Sequence, residues 1–414
     1  MANLIKKEIN HFYKLRTSAR KLLSSYILIG VASSALLTFI DAYIWRDTND
    51  AVAVALFNLA FFIVLPVGFY INGLLLKRFL IGSLYRGGLI IIGLTITLLI
   101  FYSRCTYPFV IVYGFVYGLG QAFYWANRNC LTLEKTRDSD RNYFSGLELS
   151  VDTLINIVFP ALIGWMIVLG QRFDLYSIKV SYLILAIVGM YLLVKAGNIV
   201  VKERYNNPKI GSLRIAHMTL KWNGVRAVKV ALGLTEGAAY FFPTLLVFTH
   251  LGSEEIFGML SSLTSILVAA AAYLFGRLVK SQNRIAGLNI AVIGYVLAAF
   301  VLAFLDPPYA QVFFILISSV SSIIMWTATN SLIMDIIDLE SSKDDNYAYL
   351  YDRELYLNLG RIMGVVIFII LYKIVLSEDA IKYTPLFLSF LQAIAVMISG
   401  FLFARNERNR TQGS

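Results

Sequence analysis

The chain has 414 residues, of which 58% are apolar or aromatic and only 15% charged, whereas soluble domains hold about 45–50% apolar and about 25% charged residues. That surplus excludes a water-soluble globule, a disordered chain and collagen, and apolar runs as long as whole helices exclude the short alternating strands of a porin. The formal net charge is +11, so the placement of the basic residues decides whether it means nucleic acid or membrane topology.

The opening segment, Met1 to Lys21, is polar and basic. The apolar run after it is too long for a signal h-region and ends in no small-residue cleavage site, so the first span is expected to stay in the mature protein. A bilayer core of about 30 Å takes roughly 20 apolar helical residues, and twelve stretches meet that length. In chain order they are Leu22 to Trp45, Ala51 to Leu76, Leu84 to Ser103, Tyr107 to Leu133, Phe144 to Gly170, Ile178 to Val200, Val225 to Leu251, Glu255 to Val279, Ile285 to Leu305, Tyr309 to Ile337, Leu350 to Leu376 and Thr384 to Ala404. Backbone amides in lipid must be satisfied within the segment, so each stretch is expected to be a helix. With the N-terminus inside, the inner connections carry 27 Lys and Arg and the outer ones 6. The positive-inside rule then predicts both termini in the cytoplasm of a plasma or bacterial inner membrane. It also accounts for the basic charge without nucleic acid.

The longest polar connection, about Lys202 to Asn223, follows the sixth span and contains the turn formers Asn206, Asn207, Pro208 and Gly211. The expected organisation is a cytoplasmic segment 1–21, a six-helix bundle 22–200, a linker 201–224, a second bundle 225–404 and a tail 405–414. The halves repeat. Trp125-Ala-Asn-Arg-Asn129-Cys-Leu-Thr-Leu-Glu134 in the fourth span matches Trp326-Thr-Ala-Thr-Asn330-Ser-Leu-Ile-Met-Asp335 in the tenth, at an offset of 201 residues. Glu148-Leu-x-x-Asp152 in the fifth matches Glu354-Leu-x-x-Asn358 in the eleventh at 206, and Gly30 aligns with Gly233. Several matches at nearly one offset argue for duplication.

With these features the chain resembles the major facilitator superfamily over essentially its whole length. Gly276-Arg-Leu-Val-Lys280-Ser-Gln-Asn-Arg284 is similar to the superfamily's loop motif, and Gly73-Leu-Leu-Leu-Lys77-Arg78 with Arg86-Gly87-Gly88 keeps that motif's basic residues. Asn72 is the nearest polar substitute for its usual acid. Tyr113-Gly-Phe-Val-Tyr-Gly-Leu-Gly120 lacks the arginine of the superfamily's fourth-helix motif, and only Pro160 and Gly164 remain of the antiporter pattern. The resemblance fixes no subfamily. It implies an all-α membrane protein of twelve helices in two pseudo-symmetric bundles, transporting by alternating access with a substrate site between the halves near the bilayer midplane.

An ionised side chain at the centre of a membrane helix costs about 2.5–3.5 kcal/mol, which makes each one a functional hypothesis. Glu236, between Gly233 and Gly237 and followed by Tyr240, Phe241, Phe242 and Pro243, reads as a proton or cation site, against the alternative of a structural hydrogen bond. Gly and Pro there loosen the helix, and Tyr240 is a pocket-lining aromatic. Glu148, Asp152 and Asn156 fall on one helical face, with Arg128 as the expected partner of the two acids. Glu354, Asn358 and Arg361 echo that set; the two clusters are read either as coupling groups in which carboxylates facing a guanidinium share a proton, with Asn358 among the substrate or coupling-ion residues, or as symmetric ion clusters that close the cytoplasmic gate, with Glu354 and Arg361 as its charges. Trp125 and Asn129, with their repeat partners Trp326 and Asn330, are expected to face the cavity, although interfacial aromatics are the alternative. Asp41, beside Tyr43 and Arg46, is read either as part of an extracellular gate or as a surface charge. Glu134 and Asp335 are read as solvated or loop-paired charges at the cytoplasmic mouths. Ser33, Ser34, Ser318, Ser319, Ser321 and Ser322 are read as small residues that permit close helix packing.

The two cysteines, Cys105 and Cys130, and the three histidines, His11, His217 and His250, show no metal-ligand spacing, and no GxxxxGK[ST] loop is present. No cofactor, no metal and no ATP-driven pump are therefore expected. The acids Asp41, Glu148, Asp152, Glu236 and Glu354 outnumber the bases Arg128 and Arg361, which favours a mildly acidic cavity. The expected activity is secondary active transport of a small organic solute, coupled to protons, by a monomer. Proton-driven efflux of amphipathic or cationic compounds is the alternative. A membrane receptor, or an enzyme using Glu148 and Asp152 as acid and base, stands further off.

Overall fold

The computed structural model describes residues 12–411 apart from positions 14, 103, 136–137, 204, 209–214, 216–218, 251, 280–282, 306–307, 341–345 and 376. Side chains at 37–38, 133–143, 145, 250, 331, 334–335, 338–340, 377–378 and 398–411 also lie outside the description, and with them Glu134 and Asp335. Thirteen helices make up the described chain: α1 Thr17–Thr48, α2 Ala51–Leu75, α3 Ile81–Tyr102, α4 Tyr107–Lys135, α5 Asp138–Arg172, α6 Ile178–Lys202, α7 Leu220–Ala239, α8 Phe242–His250, α9 Glu254–Leu278, α10 Arg284–Phe304, α11 Tyr309–Glu340, α12 Asn346–Ile374 and α13 Ser377–Thr411. Twelve spans long and apolar enough to cross a membrane are built from them, α7 and α8 together forming one, Leu220–Thr249.

Turn chemistry sets the helix ends. Asp50, Ser177, Thr219 and Ser253 cap α2, α6, α7 and α9 through side-chain oxygens that accept from backbone N–H groups one turn on. Asn49 closes α1 in the left-handed region at φ 50°, a conformation Asn tolerates. The seventh span breaks where Gly and Pro predict loosening. Pro243 has no N–H to give to the carbonyl of Ala239 and its ring clashes with it; Phe241 N turns back to Ala238 O at 3.2 Å, and α8 restarts with Leu245 N on Phe241 O at 3.0 Å.

Within the first six spans α4 packs on α2 and α3, and α6 on α1 and α3; within the second six α7 packs on α12 and α13, and α11 on α9 and α10. The halves meet through α5 on α9, α2 on α12 and α1 on α8. Close approach depends on glycine. A Cβ on Gly360 of α12 would meet the Val230 carbonyl and sit 2.9 Å from Gly233 Cα on α7, and one on Gly258 of α9 would meet the backbone of Pro160 on α5. Gly360→Val is expected to destabilise the second half by about 1–3 kcal/mol, the cost of overpacking, read as a lower thermal midpoint in detergent. A wild-type midpoint would mean that α7 and α12 are not in tight register there.

Alternation of the spans puts the start of α1, the end of α6, the start of α7 and the end of α13 on one side of the bundle, termed the near side. On the opposite, far side Arg46 at the end of α1 forms a two-pronged ion pair with Glu254 at the start of α9, at 2.6 and 2.7 Å. Phe39 stacks edge-on against Phe257 at 5.6 Å, and Ala161 N donates to Ser262 Oγ at 3.1 Å. These contacts tie the halves together on the far side. On the near side they meet where Tyr347 Oη donates to Phe69 O at 2.9 Å and Tyr70 stacks on Tyr351 at 5.9 Å.

Candidate functional site

Three cavities lie along the seam between the halves. The first, about 350 Å³, is walled mainly by α1, α4 and α5 and holds Arg128, Glu148, Asp152, Asn156, Trp125 and Tyr124. The second, about 370 Å³, lies between α7, α9 and α11 and holds Glu236, Trp326, Ser318, Ser319, Ser322 and Gln392. A third of about 270 Å³, bordered by Asp41, joins them, sharing Asn156 and Tyr240 with the first and Pro243, Thr264 and Ser319 with the second.

In the first half Arg128 ion-pairs with Glu148, and its guanidinium lies 4.9 Å from the Tyr26 ring and 4.7 Å from the Trp125 ring. Cations over aromatic faces gain quadrupole attraction. Tyr26 Oη holds the end of α4 through Arg128 O and Thr132 Oγ1. Asp152 accepts from Asn156 Nδ2 at 3.1 Å; its carboxylate faces the cavity with no cation in hydrogen-bond contact among the described residues.

The second half solves the same problem differently. Arg361 does not pair with Glu354 on its own helix, as the echo of the first half predicts. It reaches α7 and donates to Glu236 at 2.6 Å, while Glu354 takes Arg353 at 2.7 Å. The reason is depth: position 361 lies two turns along α12 from 354, level with Glu236. Arg361 also lies 5.4 Å from the rings of both Phe62 and Tyr240, so this pair touches the opposite half. Asn358, fully buried, accepts from Arg361 Nη1 at 3.2 Å and donates to Glu354 O at 2.8 Å.

Lys229 is not among the residues the sequence points to, because a base so close to the 201–224 linker counts as one of the 27 basic residues of the inner connections. It is fully buried in α7, donates to Asn330 Oδ1 at 3.1 Å and sits 4.3 Å over the Trp326 ring, within electrostatic reach of Glu354 and Arg361. The repeat held the signal: Lys229 follows Tyr26 by the 203 residues that separate Gly233 from Gly30, while Thr329 replaces Arg128. Each half thus caps its cavity Trp with a cation, supplied by the fourth span in one and the seventh in the other.

The remaining predicted residues divide. Asn129 is half-buried and borders none of the three cavities; its neighbour Asn127 is instead buried and exchanges hydrogen bonds with Asn72 at 2.7 and 3.3 Å. Tyr240 stands at the helix break with its ring edge-on to Phe62 at 5.2 Å. Asp41 lies inside the bundle, 7% exposed, accepting from Asn58 at 3.0 Å, and the far-side ion pair is made by Arg46 and Glu254 instead. The serines read as packing residues mostly line cavities: Ser33 and Ser34 the first, Ser318, Ser319 and Ser322 the second. No group of His, Cys, Asp and Glu fit for a metal occurs among the described residues.

Two helical bundles enclosing a shared cavity lined by polar and ionised groups define a membrane transporter. The sequence profile of the Major Facilitator Superfamily matches residues 22–343, and the chain belongs to that family. It is 24% identical over 359 residues to the uncharacterised protein YqgE of Bacillus subtilis strain 168, covering 85% of this chain and 81% of that protein. Among solved structures its fold is similar to that of the nucleoside transporter NupG, with TM-score 0.68, 14% identity, and 94% and 99% of the two chains covered. It is also similar to a bacterial metal transporter, with TM-score 0.63, 12% identity and coverage of 94% and 98%.

Proposed function

We propose that the chain is a proton-coupled secondary carrier of a small organic solute, working as a monomer in a plasma or bacterial inner membrane with both termini in the cytoplasm. The observation that carries this reading is the cavity system shared by both halves. Of the carboxylic and basic groups lining it among the described residues, four are acids, Asp41, Glu148, Asp152 and Glu236, and one is a base, Arg128. The near side is then cytoplasmic, and the Arg46–Glu254 pair is the outer closure that must part for the opposite state. Rocking of two repeats around a fixed site is the motion such folds use.

Coupling is assigned to Glu236. Protonating it removes the charge that holds Arg361, and Arg361 touches Phe62 of the other half, so a proton gained there loosens the seam. Glu236→Gln, which keeps the hydrogen bond and loses the charge, is expected to abolish pH-gradient-driven solute flux in proteoliposomes while leaving exchange of labelled for unlabelled solute. Undiminished gradient-driven flux would remove Glu236 from the mechanism. Outward transport of amphipathic compounds is the second reading, favoured by the aromatic walls Tyr26, Tyr117, Tyr124, Trp125 and Tyr240; the sign of the gradient that drives flux separates it from uptake.

A further inference from the structure

We infer that the solute is a small organic cation and that its ammonium group binds in the first-half cavity against Asp152; the inference rests on the carrier reading and names the class of substrate. The charges of that cavity are Arg128, Glu148 and Asp152. Arg128 is taken up by Glu148 and by the rings of Tyr26 and Trp125, which leaves one negative charge, on Asp152, to be met by one positive charge from the solute.

Three further features make this a site rather than a bare acid. The space in front of the carboxylate is kept open by Gly30: a Cβ there would lie 3.3 Å from Asp152 Oδ1 and 3.2 Å from Ile155. Tyr117 and Tyr124 line the same cavity, aromatic side chains of the kind that hold ammonium groups. Ser34, 1% exposed, borders the same cavity with its hydroxyl oxygen unpartnered among the described residues, and a buried polar atom of that kind calls for a partner. A volume of about 350 Å³ is at the small end of small-molecule sites, which run from about 300 to 1,000 Å³. Asp41 borders the connecting cavity and accepts from Asn58, and among the described residues the opposite wall offers no acid free of a cation, because Glu236 is held by Arg361. It offers hydroxyls and the unpartnered Gln392 Oε1, which suit a neutral, hydrogen-bonding end of the solute.

The test measures binding to the full chain in nanodiscs by tryptophan fluorescence and thermal shift, with phenethylammonium and benzyltrimethylammonium as cations and phenethyl alcohol as the uncharged control. The cations are expected to bind and the alcohol not to. Asp152→Asn is expected to weaken cation binding about tenfold or more, the loss of one charge-assisted contact. Gly30→Ala, which narrows the approach and leaves every charge in place, should weaken it as well. Failure of both cations to bind the wild-type protein, equal binding of the alcohol, or undiminished cation binding by a folded Asp152→Asn variant would overturn the assignment. Flux of the same compounds in proteoliposomes keeps the two readings apart. Asp152-dependent binding without flux of any compound removes the carrier and keeps the site; flux of the alcohol with no cation binding removes the site and keeps the carrier.

Discussion

Arg361→Met is expected to stop transport and to cost about 3–5 kcal/mol of stability, the usual penalty for removing one partner of a buried ion pair. Arg361 is 6% exposed and holds Glu236 at 2.6 Å from a helix 125 residues further along the chain. Without it the Glu236 carboxyl loses its cation, and the contacts of the guanidinium with Phe62 and Tyr240 are lost too. The loss should be non-additive. Arg361→Met combined with Glu236→Gln removes both charges and is expected to recover most of the stability and none of the proton coupling. Thermal unfolding of the four proteins in one detergent gives the coupling energy directly. A double variant no more stable than Arg361→Met would show that the arginine acts through packing and not through Glu236.

The second large effect concerns Lys229. Lys229→Tyr strips the cation from Trp326 and from the neighbourhood of Glu354, so it is expected to abolish flux and lower the thermal midpoint sharply. Adding Thr329→Arg copies into the second half the arrangement of Tyr26 and Arg128 in the first, with the cation moved from α7 to α11 but kept over the same Trp. The combined variant should regain most of the lost midpoint and measurable flux. If it behaves like Lys229→Tyr alone, the two Trp–cation pairs are not equivalent and the pseudo-symmetry ends at the backbone.

Much of the architecture is legible in the residue order because a bilayer makes it so: apolar runs near 20 residues long have to be helices, and each of the twelve expected stretches coincides with a span. The pairing of Arg128 with Glu148 is legible for a local reason, since both lie near the short connection between consecutive helices. Lys229 was hidden because a hydropathy window assigns a basic residue next to a polar connection to that connection, even when the helix carries it inside the bundle. The serines of α11 were read as packing because spacing alone does not say which face of a helix turns to the cavity.

Twelve spans, their repeat and the family follow from the sequence by itself, because hydropathy and periodicity are properties of neighbouring residues. That Arg361 meets Glu236 rather than Glu354, and that Glu254 bonds to Arg46 across the far side, were decided by the tertiary structure alone. Those pairings depend on how far each helix is rotated and displaced against others more than a hundred residues away, and glycine contacts such as Gly360 on Gly233 set those rotations with no trace in local order.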